Sequence, residues 1–270
     1  MKSDKILLSI TLCIWLYVSA SAQTDTIAVA DTTFQPVQSA EQAELKMNII
    51  KLNLISPIFL NFSLQYERVI NKFLSATLTG RFMPTSSVPY INSFYNKIFG
   101  SDDPAIEEAF KEMKISNYGA SVELRFYVGK KGYGKGFYIA PAYRFSRIEM
   151  SHLIFVYDDY PGAEESLTFS GHSNANYGGL MLGAQWFLGK HLTLDWWFFG
   201  PLAGYQNASV SAVSSMPLSS DDQQVLKTKL EDWDMPLTEK NVYVDSQSAS
   251  LDLYGWMFGY NFGLALGFRF

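Results

Sequence analysis

The sequence predicts an all-β fold, a transmembrane up-and-down antiparallel β-barrel of about eight strands, and three observations predict it. Of 270 residues, 48% are hydrophobic and 16% aromatic but only 17% are charged, against roughly 25% charged in ordinary soluble domains. Yet after the N-terminal segment no apolar run reaches the ~20 residues that a transmembrane helix needs. From Met47 onward, apolar residues recur with a period of two, which is the signal of a strand with two different faces. The connections between these stretches alternate short and long, as in barrels with tight turns at one end and loops at the other.

The N-terminal segment reads as a signal peptide over residues 1–22. Lys2 and Lys5 make a positive start, 6–18 is an apolar run, and Ala20, Ser21 and Ala22 offer a small-residue cleavage site. Cleavage after Ala22 exports the chain and removes Cys13, its only cysteine, so disulfide and thiol chemistry are excluded from the mature protein. Losing Lys2, Asp4 and Lys5 moves the formal charge from −5 to −6, which argues against nucleic acid as a partner. Residues 23–46, rich in Thr, Ala, Gln and acids without a sustained period, read as a flexible periplasmic leader.

Residues 47–270 form the expected outer-membrane barrel. Strands are expected over 48–56, 61–70, 73–82, 116–128, 137–150, 173–188, 192–205 and 250–270. Short turns fall at Asn71-Lys72, 129–136 and 189–191, and long extracellular loops at 84–115, 151–172 and 206–249. Two helices are expected within the loops: one at 105–114 and one at 221–233, the second capped by Ser219 and Ser220.

The last strand shows the two faces most plainly. Tyr254, Trp256, Phe258, Tyr260, Phe262, Leu264, Leu266, Phe268 and Phe270 occupy one face; Gly255, Met257, Gly259, Asn261, Gly263, Ala265, Gly267 and Arg269 occupy the other. A large apolar face opposite a small one predicts lipid outside and a crowded lumen inside. The charges fix the register, because an Arg or Lys on the lipid face costs about 2–4 kcal/mol at mid-bilayer. Lys51, Glu67, Arg81, Glu123, Arg125, Arg144, Asp195 and Arg269 are therefore expected to point inward as a polar network, with Gln65 and Gln185 near them. Eight strands enclose a lumen that side chains fill, so the expectation is a plug and not a channel.

The stretches 48–84 and 184–195, which include NIIKLNLIS, NFSLQYERVINKFLSATLTGRFMP and AQWFLGKHLTLD, resemble a family of small outer-membrane barrels of unknown function widespread in Bacteroidetes. The terminal Asn261-x-Gly263-x-x-Leu266-x-Phe268 is similar to the signal read by the barrel assembly machinery. The resemblance implies location and fold, with outer-membrane lipid and the assembly machinery as partners, and it brings no catalytic residue.

The expected role is a structural or interaction scaffold that displays its loops to an unidentified extracellular or outer-membrane partner, with no enzymatic activity, cofactor or metal. The catalytic alternative is a lipid A-modifying, deacylase-like enzyme using His172 and Ser170, which share strand parity, whereas Ser173 has the opposite parity. A narrow channel is the third reading. His152 flanks the same loop, and His191 sits in a short turn, where solvent is its expected partner. The acidic pairs Asp102-Asp103, Asp158-Asp159, Glu164-Glu165 and Asp221-Asp222 lack the oxygen-ligand spacing of a calcium loop.

Overall fold

A computed structural model describes residues 46–87, 111–160, 163–233 and 235–270. The expected signal peptide, the expected leader up to residue 45 and most of the first expected long loop lie outside the described residues. So does the greater part of the helix expected at 105–114, of which Lys111 and Glu112 are helical while Lys114 already belongs to a strand.

The chain forms β1 (Asn48–Asn53), β2 (Phe62–Val69), β3 (Leu74–Ser87), β4 (Lys114–Gly132), β5 (Lys135–Tyr160), β6 (Ala163–Leu188), β7 (Leu192–Phe199) and β8 (Pro201–Ser214). These are followed by helix α1 (Ser220–Asp232), β9 (Thr238–Val244), β10 (Ser248–Tyr260) and β11 (Gly263–Arg269). Strands β7 and β8 are two halves of one path interrupted at Gly200, and β10 and β11 are likewise interrupted at Asn261 and Phe262. Counted as paths, eight antiparallel strands run around the wall, and β1 pairs with β11 to close it. The two interruptions meet: Asn261 N–H donates to the Gly200 carbonyl at 2.7 Å, so close that a Cβ at Gly200 would collide with the Asn261 carbonyl.

The turns follow their residues. Asn71 Oδ1 accepts from the N–H groups of Phe73 and Leu74 at 2.8 and 3.0 Å, an Asx turn between β2 and β3. Tyr133 and Gly134 join β4 to β5 with φ of 54° and 79°, the pair of positive values that a two-residue hairpin requires.

Two expectations are corrected. Residues 151–172 are not a loop, because β5 and β6 stay paired out to Tyr160 and Ala163. At 26 residues each they are far longer than the roughly 3–10 residues of most strands. Residues 206–249 contain the end of β8, α1, and a further strand, β9, that pairs with β10. Helix α1 is as expected: Ser219 caps it by accepting from Asp222 N–H at 3.2 Å. Its Leu230 packs on the inward-facing Ala208, Ala249, Leu251 and Leu253, so α1 sits in the distal mouth. Lys240 on β9 donates to the carbonyls of Leu230, Glu231 and Trp233, placing a cation where the helix dipole is negative.

Candidate functional site

The lumen is organised around five fully enclosed charges. Lys51, Glu67, Arg125 and Asp195 are at most 1% exposed, and Glu123 is 4% exposed. Lys51 on β1 pairs with Glu67 on β2 and Asp195 on β7, the latter at 2.6 Å, and also donates to Gln185. Arg125 on β4 spans to Asp195 with Nη1 and holds Glu123 Oε2 through Nε and Nη2 at 2.9 and 2.8 Å. Its guanidinium also donates to Gln65 at 3.2 Å and lies 4.5 Å over the Tyr138 ring. Tyr127 and Tyr138 complete the set, donating to Glu67 at 2.7 Å and Asp195 at 2.9 Å.

Six strands thus contribute to one connected network, in which enclosed charges meet opposite charges and hydrogen-bond donors, as burial demands. Small residues make the room: a Cβ at Gly267 would collide with Thr193 and press on Lys51, and one at Gly183 would collide with the Tyr138 ring. The proximal end is sealed from beneath. The Tyr133–Gly134 turn folds under the lumen, where Gln185 donates to the Gly134 carbonyl at 2.7 Å and Tyr133 N–H donates to the Lys72 carbonyl at 2.9 Å.

The other three expected members stand apart. Arg269 lies 3.7 Å over the Phe187 ring and donates to the Lys46 carbonyl at 3.1 Å, near the proximal rim. Arg81 and Arg144 face inward on β3 and β5, beyond the plug and only partly buried. Among the described residues neither has an ion pair.

Outside, the pattern reverses along the strands. In the proximal half large apolar side chains face out, with Leu78, Phe82, Val128 and Phe137 between 55% and 61% exposed. Past a belt at Phe145, Asn176, Tyr205 and Trp256, which are consecutive cross-strand neighbours, the outward residues become polar: Arg147, Glu149, His172, Asn174, Asn207, Ser209 and Asp252. The inward ones there become apolar, including Ile148, Met150, Leu153, Val210, Ala212 and Leu251.

His172 belongs to this distal outer surface and is exposed. Ser170 shares its face as expected, but its Oγ meets Ser211 Oγ at 3.1 Å. Ser173 is buried inward, where it donates to Gln206 at 3.3 Å. The pairing register adds neighbours that sequence spacing does not show: Glu149 stands directly opposite His172 on one side and Ser209 on the other. Such partners have Cβ atoms about 4.5–5.5 Å apart. Glu149 here accepts from Arg147 at 2.8 Å. His191 is exposed and stacks on Phe268 at 5.3 Å, while His152 adopts a φ of 57° at a bulge and meets Ser151 Oγ at 3.0 Å.

Asp221 and Asp222 occupy the first turn of α1, where acids suit the helix dipole. Among the described residues no cluster of His, Cys, Asp and Glu is suited to a metal ion. No protein family and no curated protein matches the chain.

Proposed function

We propose that the protein is an outer-membrane β-barrel whose lumen is closed by the ion-paired plug. Its elongated distal end, made of the β5–β6 extension, α1 and β9, serves as a scaffold presented to partners outside the cell. The observation that carries this reading is the polarity switch along single strands. On β5, Phe137, Ile139 and Tyr143 face out before the belt and Arg147 and Glu149 after it, while Arg144 faces in before it and Ile148 and Met150 after it. A wall in water throughout would have polar residues outside along its whole length, because monomers rarely expose apolar patches beyond a few hundred Å². A wall that passes from lipid into water changes sign at the boundary. The likeness of 48–84 and 184–195 to small Bacteroidetes barrels supports the same reading.

The test is Leu78→Arg, at a site 56% exposed in the middle of the apolar band. In a bilayer it should cost about 2–4 kcal/mol of folding stability, read by urea unfolding in phospholipid vesicles, and should deplete the protein from outer-membrane fractions. A surface change in water stays within about 0.5 kcal/mol, and that result would overturn the membrane assignment.

A second reading is favoured by the row Glu149–His172–Ser209, which lies just beyond the belt where the polar heads of outer-leaflet lipids would sit. An acid, an imidazole and a hydroxyl side by side can orient a base, accept a proton and attack an ester, and catalytic hydrogen bonds often tighten only with substrate. On this reading the outer wall acts on a lipid ester, with Ser209 as nucleophile in place of Ser170.

A further inference from the structure

We propose that Arg81 and Arg144 form an oxyanion-binding site in the lumen above the plug, for the carboxylate or phosphate group of a ligand entering through the distal mouth. The inference concerns the lumen alone and stands whether or not the outer wall faces lipid.

The two arginines come from strands on either side of β4. In the ladder Arg81 faces Gly119, which faces Ser146, and one step nearer the plug Thr79 faces Ser121, which faces Arg144. Both side chains point inward, and the positive charge of Arg144 bears on Arg81. The one acid whose charge bears on both is Glu123, whose Oε2 is already held twice by Arg125. Arg81 Nη1 is shut off from solvent without a hydrogen-bond partner among the described residues, and so is the Ser121 hydroxyl between the arginines. Tyr177, which faces Arg144 across the ladder, donates instead to Met257 Sδ at 2.7 Å.

The charges of the described barrel interior do not balance. Lys51, Arg81, Arg125, Arg144 and Arg269 outnumber Glu67, Glu123 and Asp195, in a chain that is acidic as a whole. Enclosed cations hold their place only when paired, and the plug shows how completely this lumen pairs charges where it has the acids. Two guanidiniums left without acids, with hydroxyls between them, match the forked geometry by which arginine takes carboxylate and phosphate. Above them Met83, Ile115 and Ile148 form an apolar layer, which lowers the local dielectric and strengthens the attraction for an anion.

The experiment titrates the full-length protein in a neutral detergent with inorganic phosphate and with laurate, using dodecanol as the uncharged control and calorimetry as the readout. At least one anion should bind saturably, dodecanol should not, and binding should weaken as salt rises. Arg81→Gln and Arg144→Gln should each weaken binding tenfold or more, whereas Arg147→Gln on the outer face should leave it unchanged. Tighter binding of laurate than of phosphate assigns the anion to a lipid or fatty acid, and equal or weaker binding assigns it to a free oxyanion; either supports the site. Should a Gln variant fail to fold, Arg81→Lys and Arg144→Lys keep the charge but lose the fork, and they should also weaken binding. Absence of binding by both anions, or binding that no inward substitution alters, would overturn the proposal.

Discussion

Asp195 is hydrogen-bonded to both cations of the plug, and its replacement by Asn tests whether that network holds the barrel together. The carboxylate is fully enclosed and accepts from Lys51, Arg125 and Tyr138, which sit on three other strands. Asn keeps the shape but removes the charge and aims an amide N–H₂ at donors. Lys51 retains Glu67 and Arg125 retains Glu123, so the loss is partial for each cation but shared by two. Removing one member of a buried pair costs about 3–5 kcal/mol, and that is the expected loss. It is a large share of the roughly 5–15 kcal/mol by which domains are stable. The assay is urea unfolding of the purified barrel, followed by fluorescence of the nearby Trp197 and by heat-modifiable migration. Lys51→Met combined with Asp195→Leu removes both charges and should cost less than Asp195→Asn, because replacing a buried pair with apolar groups is often close to neutral. A loss below about 1 kcal/mol in Asp195→Asn, or a double variant as unstable as the two single changes added together, would mean that the lumen is wet and its charges are screened.

Two further predictions concern the distal end. If the outer row Glu149–His172–Ser209 is catalytic, detergent-solubilised protein should hydrolyse a fatty-acyl ester and Ser209→Ala should abolish this while Ser170→Ala does not; equal rates in Ser209→Ala and wild type would dismiss the row. Asp245, in the turn between β9 and β10, accepts from Gln247 N–H and Ser248 N–H at 2.8 and 2.7 Å and from Ser248 Oγ at 2.9 Å. These bonds hold its carboxyl below the usual aspartate range, so its contribution is present above the unfolded value and lost as pH falls through the folded one. Hydrogen exchange at Gln247 and Ser248, corrected for the intrinsic rate, should therefore accelerate on acidification. Asp245→Asn should remove that pH dependence, and its persistence would refute the assignment.

The proximal half of the fold was legible because its physics is local. A strand with large apolar side chains on one face and charges on the other alternates strictly, and turning Arg125 away from its acids would be too costly for any other register. The faces of 116–128 and 250–270 follow from that rule alone, as do the inward Thr77, Glu123 and Asp195. The turn at Asn71-Lys72 was equally local. The distal half obeys another rule, with apolar residues inward and polar residues outward, and the exchange occurs within strands. Across the belt of β5 the alternation inverts its sense: Tyr143 and Phe145 face out, then Ile148 and Met150 face in. A pattern that reverses mid-strand has no single period, which is why 151–172 read as a loop and β9, with Val242 and Val244 inward but Tyr243 outward, went unseen.

What joins partners across the ladder was hidden for a different reason. Parity tells that Arg81 and Arg144 point inward, but only register tells which acids they meet. The sequence pattern offered three acids to five cations, and the ladder alone decides that Asp195 reaches Lys51 and Arg125 while Arg81, Arg144 and Arg269 make no ion pair among the described residues. The same holds for His172, whose parity suggested Ser170 and whose register supplies Ser209 and Glu149. The inversion at the belt and the unpaired arginines then bear on one another. Arg81 and Arg144 lie at the level where the outer wall passes from apolar to polar, directly beneath the apolar inward layer of Met83, Ile115 and Ile148. An anion that reaches the arginines from the distal side passes these side chains, so an apolar portion on the ligand would add contacts to the charge pairing at the arginines.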